Sequence, residues 1–264
     1  MDDASYPLDQ LNSYTTGIPE GSSILLLHGW GSSSRDMEPL ARALARDYAV
    51  TLVDLPGHGD SPPPETPWGI PEFAELVSRF IRENRIDPVT IIGHSNGGRI
   101  ALYMGSDPTY RSLIKRLVLI SPSGITPTRS WNYYFRSTIA KLLKAPFRLL
   151  PRSLRERYLD WLRTTMIWRA LGSSDYRSAE GVMRETFVRT VNHYLDHRVD
   201  RIDVPTLIFR GDQDTAVSHR QVGFLKEAIP NAGLVELPEA GHYGHLDSPG
   251  SCIAAIRYFM NHTP

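Results

Sequence analysis

The sequence predicts an α/β fold built on a doubly wound, mostly parallel sheet, and two observations carry that expectation. Short runs of leucine and β-branched residues recur at Ile24 to Leu27, Val50 to Val53, Val89 to Ile92 and Leu117 to Ile120. Each has the length and apolarity of a strand buried on both faces. Stretches with helical spacing separate them, which is the alternation a parallel sheet with crossover helices needs.

Taken in order, the chain before Ile24 has room for one strand at most, around Leu11 to Thr16, so a sheet of about seven strands is expected. Glu72 to Arg85 places Phe73, Leu76, Val77, Phe80 and Ile81 on one helical face. The alternation stops near Gly124 and resumes at Val204, where Thr206 to Phe209 and Leu234 to Leu237 read as two further strands, each followed by a helical run. Residues 125–199 are therefore an insertion into a core formed by 1–124 and 200–264. The insertion is rich in aromatic residues, and Pro146, Pro151 and Gly172 break it into helical pieces, so it reads as a helical cap.

At 264 residues, 41% hydrophobic and 22% charged, the chain can bury one full core. A formal net charge of zero gives no reason to expect a nucleic-acid partner. The charge is nonetheless uneven: residues 125–199 hold 14 basic and 6 acidic residues, and the remainder holds 15 and 23. Opposite charge can seat a cap on its core; it can also draw anionic substrates or an anionic membrane surface. Cys252 is the only cysteine, which excludes an intramolecular disulfide and a cysteine metal cluster. The start, MDDASYPLDQ, lacks the basic and apolar runs of a signal peptide, and no stretch has the length of a membrane span. A soluble cytoplasmic protein is expected.

The residues able to do chemistry centre on Gly93-His94-Ser95-Asn96-Gly97, which follows one expected strand and precedes a helical pattern. A serine on so sharp a turn is strained, and small residues two positions away on either side avoid collision. The helix that starts after Ser95 offers unsatisfied N–H groups and the positive end of its dipole where an oxyanion would form, so the Asn96 N–H is an expected donor.

This elbow, followed in order by further motifs, resembles the α/β-hydrolase family over nearly the whole chain, weakly within 125–199. Leu25-Leu-Leu-His-Gly-Trp-Gly is similar to the family's His-Gly turn, and the resemblance assigns the Trp30 N–H as second oxyanion donor, with His28 and Gly29 shaping the turn. Asp54-Leu-Pro-Gly-His-Gly-Asp-Ser61 looks like a structural segment of the family, which gives Asp54 and His58 no catalytic role. In this fold the acid lies between nucleophile and base in the chain. Asp212 and Asp214 both follow a strand there, and the family pattern matches Asp214. Of His242 and His245, the Gly-His pair of the family selects His242 and leaves His245 a packing role.

The resemblance thus implies a Ser95, Asp214 and His242 triad acting through an acyl-enzyme, with no metal or organic cofactor. Serine at position 95 argues against the halide- and epoxide-processing relatives, which use an aspartate there. Asn96 departs from the apolar residue many relatives carry. The expected partner is a small apolar ester, and Trp131, Tyr133 and Tyr134 are candidates for the pocket mouth. Carbon–carbon cleavage of a vinylogous diketone by the same triad, an aminopeptidase or lyase activity, and a ligand-sensing receptor on a hydrolase scaffold are the competing readings.

Overall fold

The computed structural model describes residues 6–127 and 178–263. Its strands are β1 Ser13–Gly17, β2 Ser23–Leu27, β3 Ala49–Val53, β4 Val89–His94, β5 Ile114–Ile120, β6 Thr206–Gly211 and β7 Ala232–Leu237. They form one seven-stranded sheet in the order β1-β3-β2-β4-β5-β6-β7. Strand β1 runs antiparallel to β3, and all other neighbours are parallel. The described helices are α1 Ser34–Leu44, α2 Ile70–Glu83, α3 Asn96–Gly105, α4 Gly181–Val191, α5 His219–Ala228, α6 Gly244–Asp247 and α7 Pro249–His262.

The helices divide between the two faces as the alternating side chains of the strands require. Ile24, Leu26, Val50, Leu52, Val118, Ile120 and Phe209 pack with Met37, Leu40 and Leu44 of α1 and with Cys252, Ile256 and Met260 of α7. Leu25, Leu27, Ile91, Leu117, Leu119 and Ile208 meet Phe73 and Val77 of α2, Ile100 and Met104 of α3, and Val222 and Leu225 of α5 on the other face. Helix α2 occupies 70–83 rather than 72–85. Glu72 accepts the Gly69 N–H at 2.8 Å and caps the start, while Arg85, at φ 53°, has left the helical region.

Among the parallel strands, the order changes direction once. From β2 the chain moves outward to β3, then crosses back to place β4 on the other side of β2. In open parallel sheets such a switch point opens a crevice beyond the carboxyl ends of the strands. Here those ends are Leu27, followed by His28 and Gly29, and His94, followed by Ser95.

Asp54, just past β3, braces the loops around that crevice. Its Oδ1 accepts the Ser34 N–H at 2.7 Å, and its Oδ2 accepts Asn12 Nδ2 at 2.7 Å and the Asp60 N–H at 3.0 Å. Burial alone would raise the Asp54 pKa, but the Asp60 and Ser34 amides and the Asn12 amide outweigh it and hold the carboxyl below its ordinary range.

Within residues 125–199, helix α4 is described and packs against α3 and the segment before α2. Trp68 N–H donates to the buried Thr186 Oγ1 at 3.1 Å, Arg189 Nη1 to the Pro67 carbonyl at 2.7 Å, and Arg99 of α3 to the Thr190 carbonyl. The chain segments around Gly124 and Leu195 are also joined. Leu195 N–H donates to the Gly124 carbonyl at 2.9 Å, and Thr126 Oγ1 to Asp196 Oδ2 at 2.9 Å. Trp131, Tyr133 and Tyr134 lie outside the described residues. Among those described, no helix is long and apolar enough to cross a membrane.

Asp54→Asn is expected to cost on the order of 2 to 3 kcal/mol in urea unfolding at pH 7, because bonds to a buried charged acceptor are lost. A carboxyl whose folded pKa is depressed stabilises above its unfolded pKa and ceases to as pH falls through the folded one. The deficit of the variant should therefore narrow below about pH 4, and a deficit independent of pH would show that ionisation of Asp54 contributes nothing.

Candidate active site

Ser95 occupies the reversal between β4 and α3 with φ 49° and ψ −104°, a conformation L residues rarely adopt. The turn survives because its neighbours lack side chains. A Cβ on Gly97 would lie 2.2 Å from the Leu27 carbonyl oxygen, and one on Gly93 would lie 2.5 Å from the Gly97 carbonyl carbon. The reversal is also tied down by its own backbone: Ser95 N–H donates to the Ile120 carbonyl at 3.0 Å and Gly97 N–H to the His28 carbonyl at 3.1 Å. The Ser95 carbonyl accepts Ser123 Oγ at 3.0 Å.

The same approach of β2 and β4 brings the His28-Gly29-Trp30 turn against the elbow. A Cβ on Gly29 would stand 3.3 Å from Ser95 Cβ. His28 is wholly buried, accepts the Leu55 N–H at Nε2 (2.9 Å) and donates from Nδ1 to the Gly29 carbonyl (2.7 Å), which fixes its tautomer. Burial, reinforced by the neighbouring His58, lowers its pKa to about 4, so it stays neutral. Trp30 projects beside this turn, its ring 4.8 Å from His58 and 5.1 Å from Phe187 of α4. The main-chain N–H groups of Trp30 and Asn96 have no acceptor among the described residues.

Across β5, the ends of β6 and β7 carry the carboxylate and the imidazole. His242 Nδ1 lies 3.0 Å from Asp214 Oδ2, while Asp214 Oδ1 accepts the Ala216 and Val217 N–H groups at 2.8 and 2.9 Å. Burial would raise the Asp214 pKa, but the bond from His242, the Val217 amide and the charge of His242 bring it down to about 2. With Nδ1 donating to an ionised carboxylate, the neutral His242 ring carries its lone pair on Nε2. Asp212, the other candidate acid, is exposed, and its N–H donates to the Leu237 carbonyl at 3.0 Å. His245 is buried and makes no hydrogen bond to Asp214; burial, against the pull of Asp36, lowers its pKa to about 4. Ser95 Oγ and the His242 ring are not hydrogen-bonded to one another, and the polar link between their segments runs from His94 Nε2 to the His242 carbonyl at 3.0 Å.

Arg210 is a part of the site that sequence reasoning missed. From the buried end of β6 its Nε donates to the Val217 carbonyl at 3.0 Å and its Nη2 to the Asp214 carbonyl at 3.2 Å, clamping the acid loop. Its remaining nitrogen lies 3.4 Å from Glu236, the residue paired with it on β7. A cation inside an apolar strand just ahead of two aspartates was the available signal. Among the described residues, no group of three or more His, Cys, Asp or Glu could hold a metal ion.

A profile of the α/β hydrolase fold family matches residues 23–249. The chain is 28% identical over 248 residues to a pimeloyl-[acyl-carrier protein] methyl ester esterase of Neisseria meningitidis, covering 90% of this chain and 93% of that one. An esterase of the same description from Chromobacterium violaceum is 25% identical over 261 residues, covering 93% and 97%. In structure, the enol-lactonase of Burkholderia xenovorans superposes with a TM-score of 0.71 over 96% of both chains at 22% identity, a likeness of fold.

Two outcomes are expected. Gly97→Ala should destabilise the protein by more than about 3 kcal/mol, since its Cβ meets main chain that cannot move aside; a melting temperature equal to wild type would contradict this. The stabilisation from ionised Asp214, complete above the ordinary carboxylate range, should fade only as pH falls toward about 2. A carboxyl carbon of Asp214 that titrates near pH 4 by NMR would show that the bond from His242 does not hold it ionised.

Proposed function

Because this chain belongs to the α/β-hydrolase fold family, we propose that it is a serine hydrolase that cleaves a carboxylic ester, with Ser95 as nucleophile, His242 as base and Asp214 as acid. The observation that carries this reading is the strained Ser95 at the switch point of the sheet. A positive φ in a serine is costly and is kept where surrounding structure enforces it for a purpose.

In the proposed cycle His242 Nε2 takes the Ser95 proton as Oγ attacks the acyl carbon, and Asp214 holds the ring in the required tautomer and steadies the imidazolium. The negative oxygen of the tetrahedral intermediate is received by the N–H groups of Trp30 and Asn96. The imidazolium then protonates the departing alcohol, and a water activated by His242 releases the acid. Each oxyanion donor of this kind is worth about 10² to 10³ in turnover.

An ester is favoured over other acyl bonds because the esterase relatives named above cover nine tenths of this chain. An apolar acyl or alcohol group suits the wall made by Trp30 and Phe187 beside the oxyanion turn. Residues 125–199 are proposed to form the cap over that wall, with Trp131, Tyr133 and Tyr134 at its mouth.

Hydrolysis of a chain-length series of p-nitrophenyl esters tests the reading. Wild type should show a maximum at one acyl length, and Ser95→Ala should lose on the order of 10⁶ in kcat. Asp214→Asn should lose about 10⁴, whereas Asp212→Asn retains most of the activity. Turnover of Ser95→Ala close to wild type, or a larger loss at Asp212 than at Asp214, overturns the assignment; no turnover of any ester by wild type favours carbon–carbon cleavage or ligand sensing.

A further inference from the structure

The mechanism above has no use for His94, yet this buried imidazole lies between Ser95, the Gly29 turn and the loop of His242. It is the last residue of β4, directly before Ser95, and is 1% exposed. Its Nε2 lies 3.0 Å from the His242 carbonyl oxygen. A carbonyl only accepts, so Nε2 carries the proton and the neutral ring leaves Nδ1 bare. Nδ1 has no hydrogen-bond partner and would lie 2.9 Å from a Cβ on Gly29, so the ring fills the space that the missing side chain leaves. The rings of Tyr243, His242 and His245 surround it with centroids at 4.8, 4.9 and 4.9 Å.

This contact ties the loop of His242 directly to the end of β4. The loop of His242 is locked to β6: Gln213 N–H donates to the Ala240 carbonyl at 3.0 Å, and a Cβ on Gly211 would lie 2.2 Å from the same oxygen. Strand β6 is separated from β4 by β5, a span of roughly 10 Å at ordinary strand spacing. No ladder bond crosses it, whereas the His94 ring does.

We propose that His94 is a positioning residue, whose neutral ring donates Nε2–H to the main chain of His242 and so sets the separation of nucleophile, oxyanion turn and base. Burial, with His245 and His242 close by, keeps its pKa well below the ordinary value. The ring therefore remains an uncharged donor when His242 takes up a proton, and no like charge opposes that step. The proposal rests on the Ser95 and His242 roles given above.

The test compares wild type with His94→Gln, which keeps an amide N–H near the position of Nε2, and His94→Met, which has similar size and no donor. The rate at which a fluorophosphonate labels Ser95 is followed by intact mass, and kcat and KM are measured on the best p-nitrophenyl ester. His94→Met should label and turn over about 10²-fold more slowly, the effect of a misplaced catalytic group, with KM little changed. His94→Gln should recover to within about tenfold of wild type.

Labelling of a folded His94→Met at the wild-type rate overturns the positioning role, as does a His94→Gln that falls equally far while melting like wild type. If His94→Met does not fold, His94→Gln decides alone: within tenfold of wild type supports the role, and a hundredfold loss overturns it. Wild type that is not labelled at Ser95 overturns the nucleophile assignment, and this proposal with it.

Discussion

The close approach of β4 to β2 at their carboxyl ends is the constraint on which the rest of the site depends. Gly97 passes so near the Leu27 carbonyl that a methyl group would not fit, and its N–H bonds the His28 carbonyl. That contact holds Ser95 at positive φ and sets the His28-Gly29-Trp30 turn beside it. The two turns meet because β2 and β4 are sheet neighbours despite the outward excursion to β3. The Ser95 reversal and the His28-Gly29-Trp30 turn are thus products of one topological event.

Around that point the protein spends its polar groups on fixing loops. Asp54 gathers the chain after β3, the start of α1 and Asn12 onto one carboxylate. Arg210 clamps the loop of Asp214, and the ends of β6 and β7 interlock at Gly211. These groups hang from two apolar layers in which most side chains are fully buried, so the loops rest on a frame with little freedom to relax. Catalytic geometry within about half an ångström needs such support.

Helix α4 bears on the candidate site. Its buried Thr186 and Thr190 receive donors from the core, its Met183 lies over Gly57, and its Phe187 completes the wall with Trp30 and His58. Arg99 reaches α4 from the helix that follows Ser95. Movement of α4 would therefore be felt at both the Trp30 wall and the base of the elbow.

The alternation of strand and helix, the seven strands and the elbow were legible in the sequence because each is written in local spacing: apolar runs, a 3.6-residue period, glycines two positions from a serine. Chain order confined the acid to Asp212 or Asp214 and the base to His242 or His245. The family resemblance selects Asp214 and His242 from those pairs, and what the fold adds is the physical reason: a two-residue step along the loop turns one carboxylate inward to 3.0 Å from the ring and leaves the other exposed. The clamp of Arg210 and the link from His94 to His242 were invisible beforehand. Residues 94 and 242 are 148 positions apart, and no local pattern encodes a contact that exists only once the sheet has set β4, β5 and β6 side by side.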